Sequence, residues 1–264
     1  MIAIFKKMAI YIGILGIGGL YLNPSASGYP GGPLQYVTNA GPFCAACHSS
    51  PDERQIRDLP SDKIPEQLIE NKHYAKILEG KGPYEQVSPE ARAQLLEDVK
   101  IVDANAKVSI EAPQAAKPGE VVKVTVRAQG GGGPVVGIML VDIDLRNQAS
   151  PISAVGWEII EAPQVIGPDG KPQTWWLDKR VPELKKNINF ILINGVKPNL
   201  AEKKFPEVSV TYTLKAPQTP GEYTLTGVFL HGTEKASKIG LKGGFLGPSG
   251  RVRFTEVVRV KVTE

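Results

Sequence analysis

At 264 residues, 42% hydrophobic and 22% charged, the chain can bury a core and is not a disordered polymer. A net charge of only +4, with no clustered Lys/Arg face, argues against nucleic acid as a partner. The 22 prolines and 28 glycines favour a turn-rich β protein over a helical bundle.

Residues 1–28 read as an export segment. Lys6 and Lys7 form a positive start, and residues 8–22 are apolar or glycine without a charge. As helix, that run spans about 22 Å, short of the ~30 Å hydrocarbon core. The length suits a signal peptide, and Ala26-Ser27-Gly28 offers small residues for cleavage before Tyr29. With snorkelling lysines the same residues serve as an N-terminal hydrophobic anchor helix. Both readings put the remainder outside the cytoplasmic membrane, on its periplasmic or extracellular face, with the lysines inside. Residues 28–33, Gly-Tyr-Pro-Gly-Gly-Pro, read as an extended linker.

Cys44-Ala45-Ala46-Cys47-His48 is a C-x-x-C-H, the attachment sequence for a c-type haem. The spacing lets two thiols reach the two vinyl groups on one porphyrin edge, and the next residue then sets an imidazole under the iron. Small Ala45 and Ala46 let the turn lie flat on the ring. A redox disulfide of thioredoxin type calls for a preceding βαβ pattern, and none precedes Cys44. A zinc site needs two more Cys or His ligands at similar spacing, but the chain has no third cysteine and His73 and His231 stand apart. The expectation is one covalent haem c on Cys44 and Cys47, with His48 as proximal iron ligand and Phe43 against the porphyrin edge.

Two helices are predicted next. The first covers 62–79, capped by Ser61 or Asp62 and ended by Gly80, with Ile69, His73 and Ile77 on one face. The second covers 88–102, with Ser88 as N-cap, Pro89 at the first position and an apolar stripe of Ala91, Leu95, Val99 and Val102. His73 is the candidate sixth iron ligand. Its rivals are Met139, which sits in the apolar run 135–141 where core packing competes, and His231 at the end of a strand.

From residue 106 the period changes to two. Val122, Val124 and Val126 alternate with Lys123, Thr125 and Arg127; 208–214 and 223–230 behave alike; 251–263 reads as one strand with a bulge near 256–257. About nine strands predict a C-terminal antiparallel β-sandwich of immunoglobulin-like type. Gly130–Gly133 lacks the Lys-Ser/Thr of a phosphate loop and reads as a flexible hairpin tip. Residues 163–206 read as irregular, and their dibasic pairs Lys179-Arg180, Lys185-Lys186 and Lys203-Lys204 read as solvated or as steering an acidic partner. Trp157, Trp175 and Trp176 are divided between core and interface. The domain expectation is 1–28 signal peptide or anchor, 29–105 linker and haem segment, 106–264 sandwich. The fold class is mainly β with a small helical haem segment.

One C-x-x-C-H before such a sandwich resembles monohaem c-type cytochromes in which the haem motif is fused to a reelin-like β domain. The matching residues are Pro118-Gly119 before a Val-rich strand, Gly137, and Lys215-Ala216-Pro217 with Pro220-Gly221-Glu222-Tyr223. Tyr29-Pro30 together with the C-x-x-C-H also resembles cytochrome f, which implies a Tyr29 amine as axial ligand if cleavage exposes it. The helical stretch after His48 departs from that pattern. These resemblances imply one-electron transfer between redox protein partners at a membrane surface. The alternatives are a haem-bearing subunit of a larger respiratory or extracellular electron-transfer complex, and a gas-binding sensor. No hydrolytic triad or distal acid–base pair is legible, so no enzyme is expected.

Overall fold

The computed structural model describes residues 37–45, 48–232 and 250–264. The predicted signal or anchor segment, Tyr29, Cys47 and the Cys44 side chain lie outside what is described. Among the described residues no helix is long and apolar enough to cross a membrane.

The bulk of the molecule is two sheets packed as a sandwich. The first contains β1 (Lys107–Glu111), β3 (Val121–Gln129), β8 (Glu207–Lys215), β5 (Glu158–Ile159) and β6 (Gln164–Ile166). It runs in the order β1-β3-β8, with β5 and β6 sharing the far edge of β8. The second contains β2 (Ala115–Ala116), β11 (Val258–Val262), β9 (Gly221–Gly232), β4 (Gly132–Val141) and β7 (Phe190–Asn194) in that order, with β10 (Arg251–Phe254) also on β9. Among these strands only β2 and β11 pair in parallel. Alternation builds the first sheet: Val122, Val124, Val126 and Ala128 of β3 are buried while Val121, Lys123, Arg127 and Gln129 face out. The apolar run in β4 is buried throughout 135–141, as expected of a strand covered on both faces.

Four expectations need correction. Residues 163–206, expected to be irregular, hold β6 and the largely buried strand β7 beside β4. Gly130–Gly133 is no hairpin tip, because β3 and β4 belong to different sheets and the glycines carry the chain between them. Gly131 has φ +72°, and a Cβ there would sit 2.7 Å from the His231 ring, so this crossing is packed rather than loose. The predicted last strand is two, β10 and β11, both lying along β9. Thr255 holds the break: its N–H donates to the Gly227 carbonyl at 2.9 Å and its Oγ1 accepts from the Gly227 N–H at 3.0 Å. The first helix is broken into a 3-10 turn at Pro65–Gln67, a π turn at Glu70–Tyr74 and α1 at Ala75–Glu79, which Gly80 ends at φ +67°. The cause is tertiary. Ser50 N–H donates to Gln67 O at 2.9 Å and Ile69 N–H to Ser50 O at 3.2 Å, so the chain opens around Leu68 to pair with Ser50. Helix α2, Pro89–Asn105, forms as expected under the Ser88 cap and extends three residues further, which buries Asp103.

Candidate haem site

Both arms of the C-x-x-C-H are tied to the sandwich. Upstream, the buried Asn189 side chain accepts from Ala40 N–H at 2.7 Å and donates to Ala40 O at 2.7 Å and to Leu140 O at 3.0 Å. Its own N–H donates to Thr38 O at 3.1 Å. Every polar group of this buried amide therefore has a partner, which fixes the chain four residues before Cys44. Downstream, Ser49 lies parallel to β10: its N–H donates to Gly250 O at 2.8 Å, and Val252 N–H donates to Ser49 O at 3.1 Å. Buried Arg146 donates to Ser50 Oγ at 3.0 Å. Between the arms, Pro42–Ala45 form a 3-10 turn, and Phe43, folded back over Gly41, is 57% exposed.

His48 sits against Gly250. A Cβ on Gly250 would lie 2.5–2.6 Å from three atoms of the imidazole, so only glycine leaves room for the ring. His48 Nδ1 faces the Arg251 carbonyl at 3.4 Å. Desolvation lowers the His48 pKa to about 4, with Arg146, Arg251 and Lys72 adding to the effect against the carbonyl contact. The ring is thus neutral at pH 7. With its Nδ1 proton on a carbonyl, it presents the Nε2 lone pair that a metal requires.

His73 is fully buried on the π turn, and both of its ring nitrogens are engaged. Nε2 lies 3.1 Å from Tyr84 Oη, and Nδ1 meets the Arg251 guanidinium. Arg251 is bidentate on Asp103, with Nε to Oδ1 and Nη2 to Oδ2 both at 2.9 Å. Tyr74 donates to the same carboxylate at 2.9 Å. Burial raises the Asp103 pKa, but the Arg251 charge and hydrogen bonds, with smaller help from His231 and Arg253, hold it below the usual value. Tyr74 is pushed up by burial and by Asp103. Arg253 donates to the Asp103 carbonyl at 2.6 Å and to His231 Nε2 at 3.2 Å. His231 pairs across the sheet with Arg251 and contacts the Gly232 carbonyl through Nδ1 at 2.8 Å. Burial, then Arg253, lowers its pKa to about 3.

The structure therefore brings His48 and His73 together on Arg251 and puts His231 one residue beyond, through Arg253. Met139 lies elsewhere, buried in β4 between Phe190 and Val228. Among the described residues no group of three or more His, Cys, Asp or Glu side chains forms a metal cluster. His48, a desolvated neutral imidazole with its Nδ1 partnered and next to a motif whose two arms are fixed, has the chemistry of an iron ligand. Sequence reasoning missed Asn189, Gly250, Asp103, Arg146 and Arg251. Two signals were there to read. Arg251 and Arg253 repeat on one face of a strand rich in valine, and Asp103 directly follows Val102 on the apolar side of its helix.

No family model and no curated protein matches the chain. Among solved structures, one similar chain is the CARDB domain of a Pyrococcus furiosus protein, at 9% identity and TM-score 0.24, covering 60% of this chain and 90% of that one. Another is CfaE, the adhesive subunit of the CFA/I fimbria of enterotoxigenic Escherichia coli, at 10% identity and TM-score 0.29. It covers 61% of this chain, which spans about half (49%) of that protein.

Proposed function

We propose that the chain is a single-haem c-type cytochrome that passes one electron between redox proteins outside the cytoplasmic membrane. The observation that carries this is the C-x-x-C-H ending in His48, a neutral imidazole whose Nδ1 faces a carbonyl and whose Nε2 is left for iron. Cys44 and Cys47 would hold the porphyrin as thioethers, and His48 would be the proximal ligand. When bound, the group supplies reversible one-electron chemistry at iron. The chain's own part is to desolvate that centre and to fix the imidazole through Gly250 and the Arg251 carbonyl. In the same reading, residues 1–28 anchor or export the chain, and the sandwich, taken as immunoglobulin-like, is the platform that docks to partners or to a larger complex.

A second reading has a specific observation behind it. The ring nitrogens of both His73 and His231 are already hydrogen-bonded, and Met139 is committed to the core. An iron whose far side none of them reaches would bind a small gas and act as a sensor. The optical spectrum of the purified protein with and without carbon monoxide separates the two. A six-coordinate low-spin haem indifferent to carbon monoxide is expected of the carrier, and His73 supplies the sixth ligand only if it gives up its contacts with Arg251 and Tyr84. Ready uptake by a five-coordinate ferrous haem would replace the carrier with the sensor.

A further inference from the structure

We infer that Arg251 is a positioning residue for the haem site, holding both histidines nearest the motif through two different groups. The inference rests on the haem reading above and names the device that would tune that centre. The Arg251 carbonyl faces His48 Nδ1 at 3.4 Å, and its guanidinium meets His73 Nδ1. A guanidinium has five donors and no acceptor. Nδ1 of His73 must therefore accept, the ring is neutral, and its N–H lies on Nε2, directed to Tyr84 Oη at 3.1 Å. The carbonyl imposes the reverse on His48, where Nδ1 carries the proton. One residue at the start of β10 thus sets opposite tautomers on two imidazoles.

Arg251 can do this because its side chain is held from several sides. It is fully buried, forked onto both oxygens of Asp103, and bonded through Nη1 to Gly250 O at 3.3 Å. Tyr74 braces the assembly, with the guanidinium carbon 5.9 Å from its ring centroid and its hydroxyl on Asp103. A bidentate fork fixes direction as well as charge, which a lysine ammonium would not. It also sets a permanent positive charge beside His73 and a permanent negative one just behind it. An iron that changes by one charge in this desolvated setting responds to the two with opposite sign.

Two measurements test this, one of them independent of haem. In the full-length Cys44→Ser, Cys47→Ser chain, nitrogen NMR of His73 should find Nδ1 unprotonated, and adding Arg251→Gln should shift the ring toward the Nδ1–H tautomer. An unchanged tautomer after Arg251→Gln would overturn the inference. In the haem-loaded protein, Arg251→Gln should lower the midpoint potential and Asp103→Asn should raise it, although both variants lose thermal stability. Arg251→Lys keeps the charge without the fork and should fall between wild type and Arg251→Gln. Loosening of the fold alone would move all three in one direction, and that result, or no movement, would sink the proposal. A wild-type chain that takes up no haem while the tautomers follow Arg251 would reject the haem reading and leave the positioning role standing.

Discussion

The sandwich and the helical segment hold together by different means. The sandwich has a continuous apolar core, in which β3 and β8 pair over nine residues and contribute inward apolar side chains, mostly valine, at every second position. Among the described residues the helical segment's own apolar cluster is five buried side chains, Ile77, Tyr84, Leu95, Leu96 and Val99, with Tyr74 packed against it. A core that small supplies only a few kcal/mol. What joins it to the sandwich is a polar seam: Asp103 on Arg251 and Arg253, His73 on Arg251, and Ser49 and Ser50 laid between β10 and Leu68. The contrast teaches a division of labour. Apolar alternation makes a platform that tolerates change, whereas directional charged contacts fix one segment on it in one register. The candidate site lies in the seam.

That comparison can be broken most forcefully at Asp103. Asp103→Ala strands Arg251 in a buried position and should cost about 3–5 kcal/mol. Hydrogen exchange should show the loss first in α2 and α1, with β3 and β8 amides still protected. A uniform loss across both regions would mean that they are one cooperative unit. Replacing the pair by Asp103→Leu with Arg251→Met should recover most of the stability, but not the histidine geometry. At Gly250 the expected effect is smaller. Gly250→Ala forces the His48 ring aside, at about 1–3 kcal/mol of overpacking, and should cut haem attachment in the same experiment that reads the melting temperature.

The pH dependence has a definite sign. His231 has a folded pKa of about 3 against roughly 6.5 unfolded. Between these values the unfolded chain binds the extra proton. Stability is therefore complete above about pH 6.5 and falls toward pH 3, by about 1.4 kcal/mol per pH unit for this one group. The lowered His48 pKa acts in the same direction. Asp103, whose folded value is depressed, adds its loss only below the ordinary carboxylate range. Urea unfolding of the haem-free chain between pH 7 and pH 4 should show this slope, and His231→Gln should flatten it. The smallest effect expected is at the helix cap. Ser88→Ala removes the acceptor for Ala91 N–H and should cost about 1 kcal/mol, confined to α2.

The platform was legible in the sequence because a half-buried strand writes its inward face as every second residue. Val122, Val124 and Val126 could be assigned to the core from spacing alone, as could α2 from Ser88-Pro89 and its stripe. The seam was not legible, for two physical reasons. Its partners are far apart in sequence, Asp103 with Arg251 and Ala40 with Asn189, and local periodicity carries no information about such pairs. Its backbone also defers to tertiary contacts: the helix expected at 62–79 yields at Leu68 because Ser50 claims the hydrogen bonds there. The break between β10 and β11 was visible only as a lapse in alternation near Glu256, since the hydroxyl that stabilises it belongs to Thr255 bonding across to Gly227. Within the candidate site, His48 and His73 were picked out by type and position. Arg251, which touches both, lay in a strand whose valines drew the reading toward core.

The central claim is that Cys44, Cys47 and His48 hold a haem. The direct measurement is the haem content of the full chain produced with a haem-attachment apparatus, read as the alkaline pyridine spectrum after acid–acetone extraction. The account predicts one haem per chain that the solvent does not remove, with the spectrum of a twofold thioether-linked porphyrin, lost in the Cys44→Ser, Cys47→Ser chain. A colourless protein with two titratable thiols, or with a Cys44–Cys47 disulfide, would contradict it.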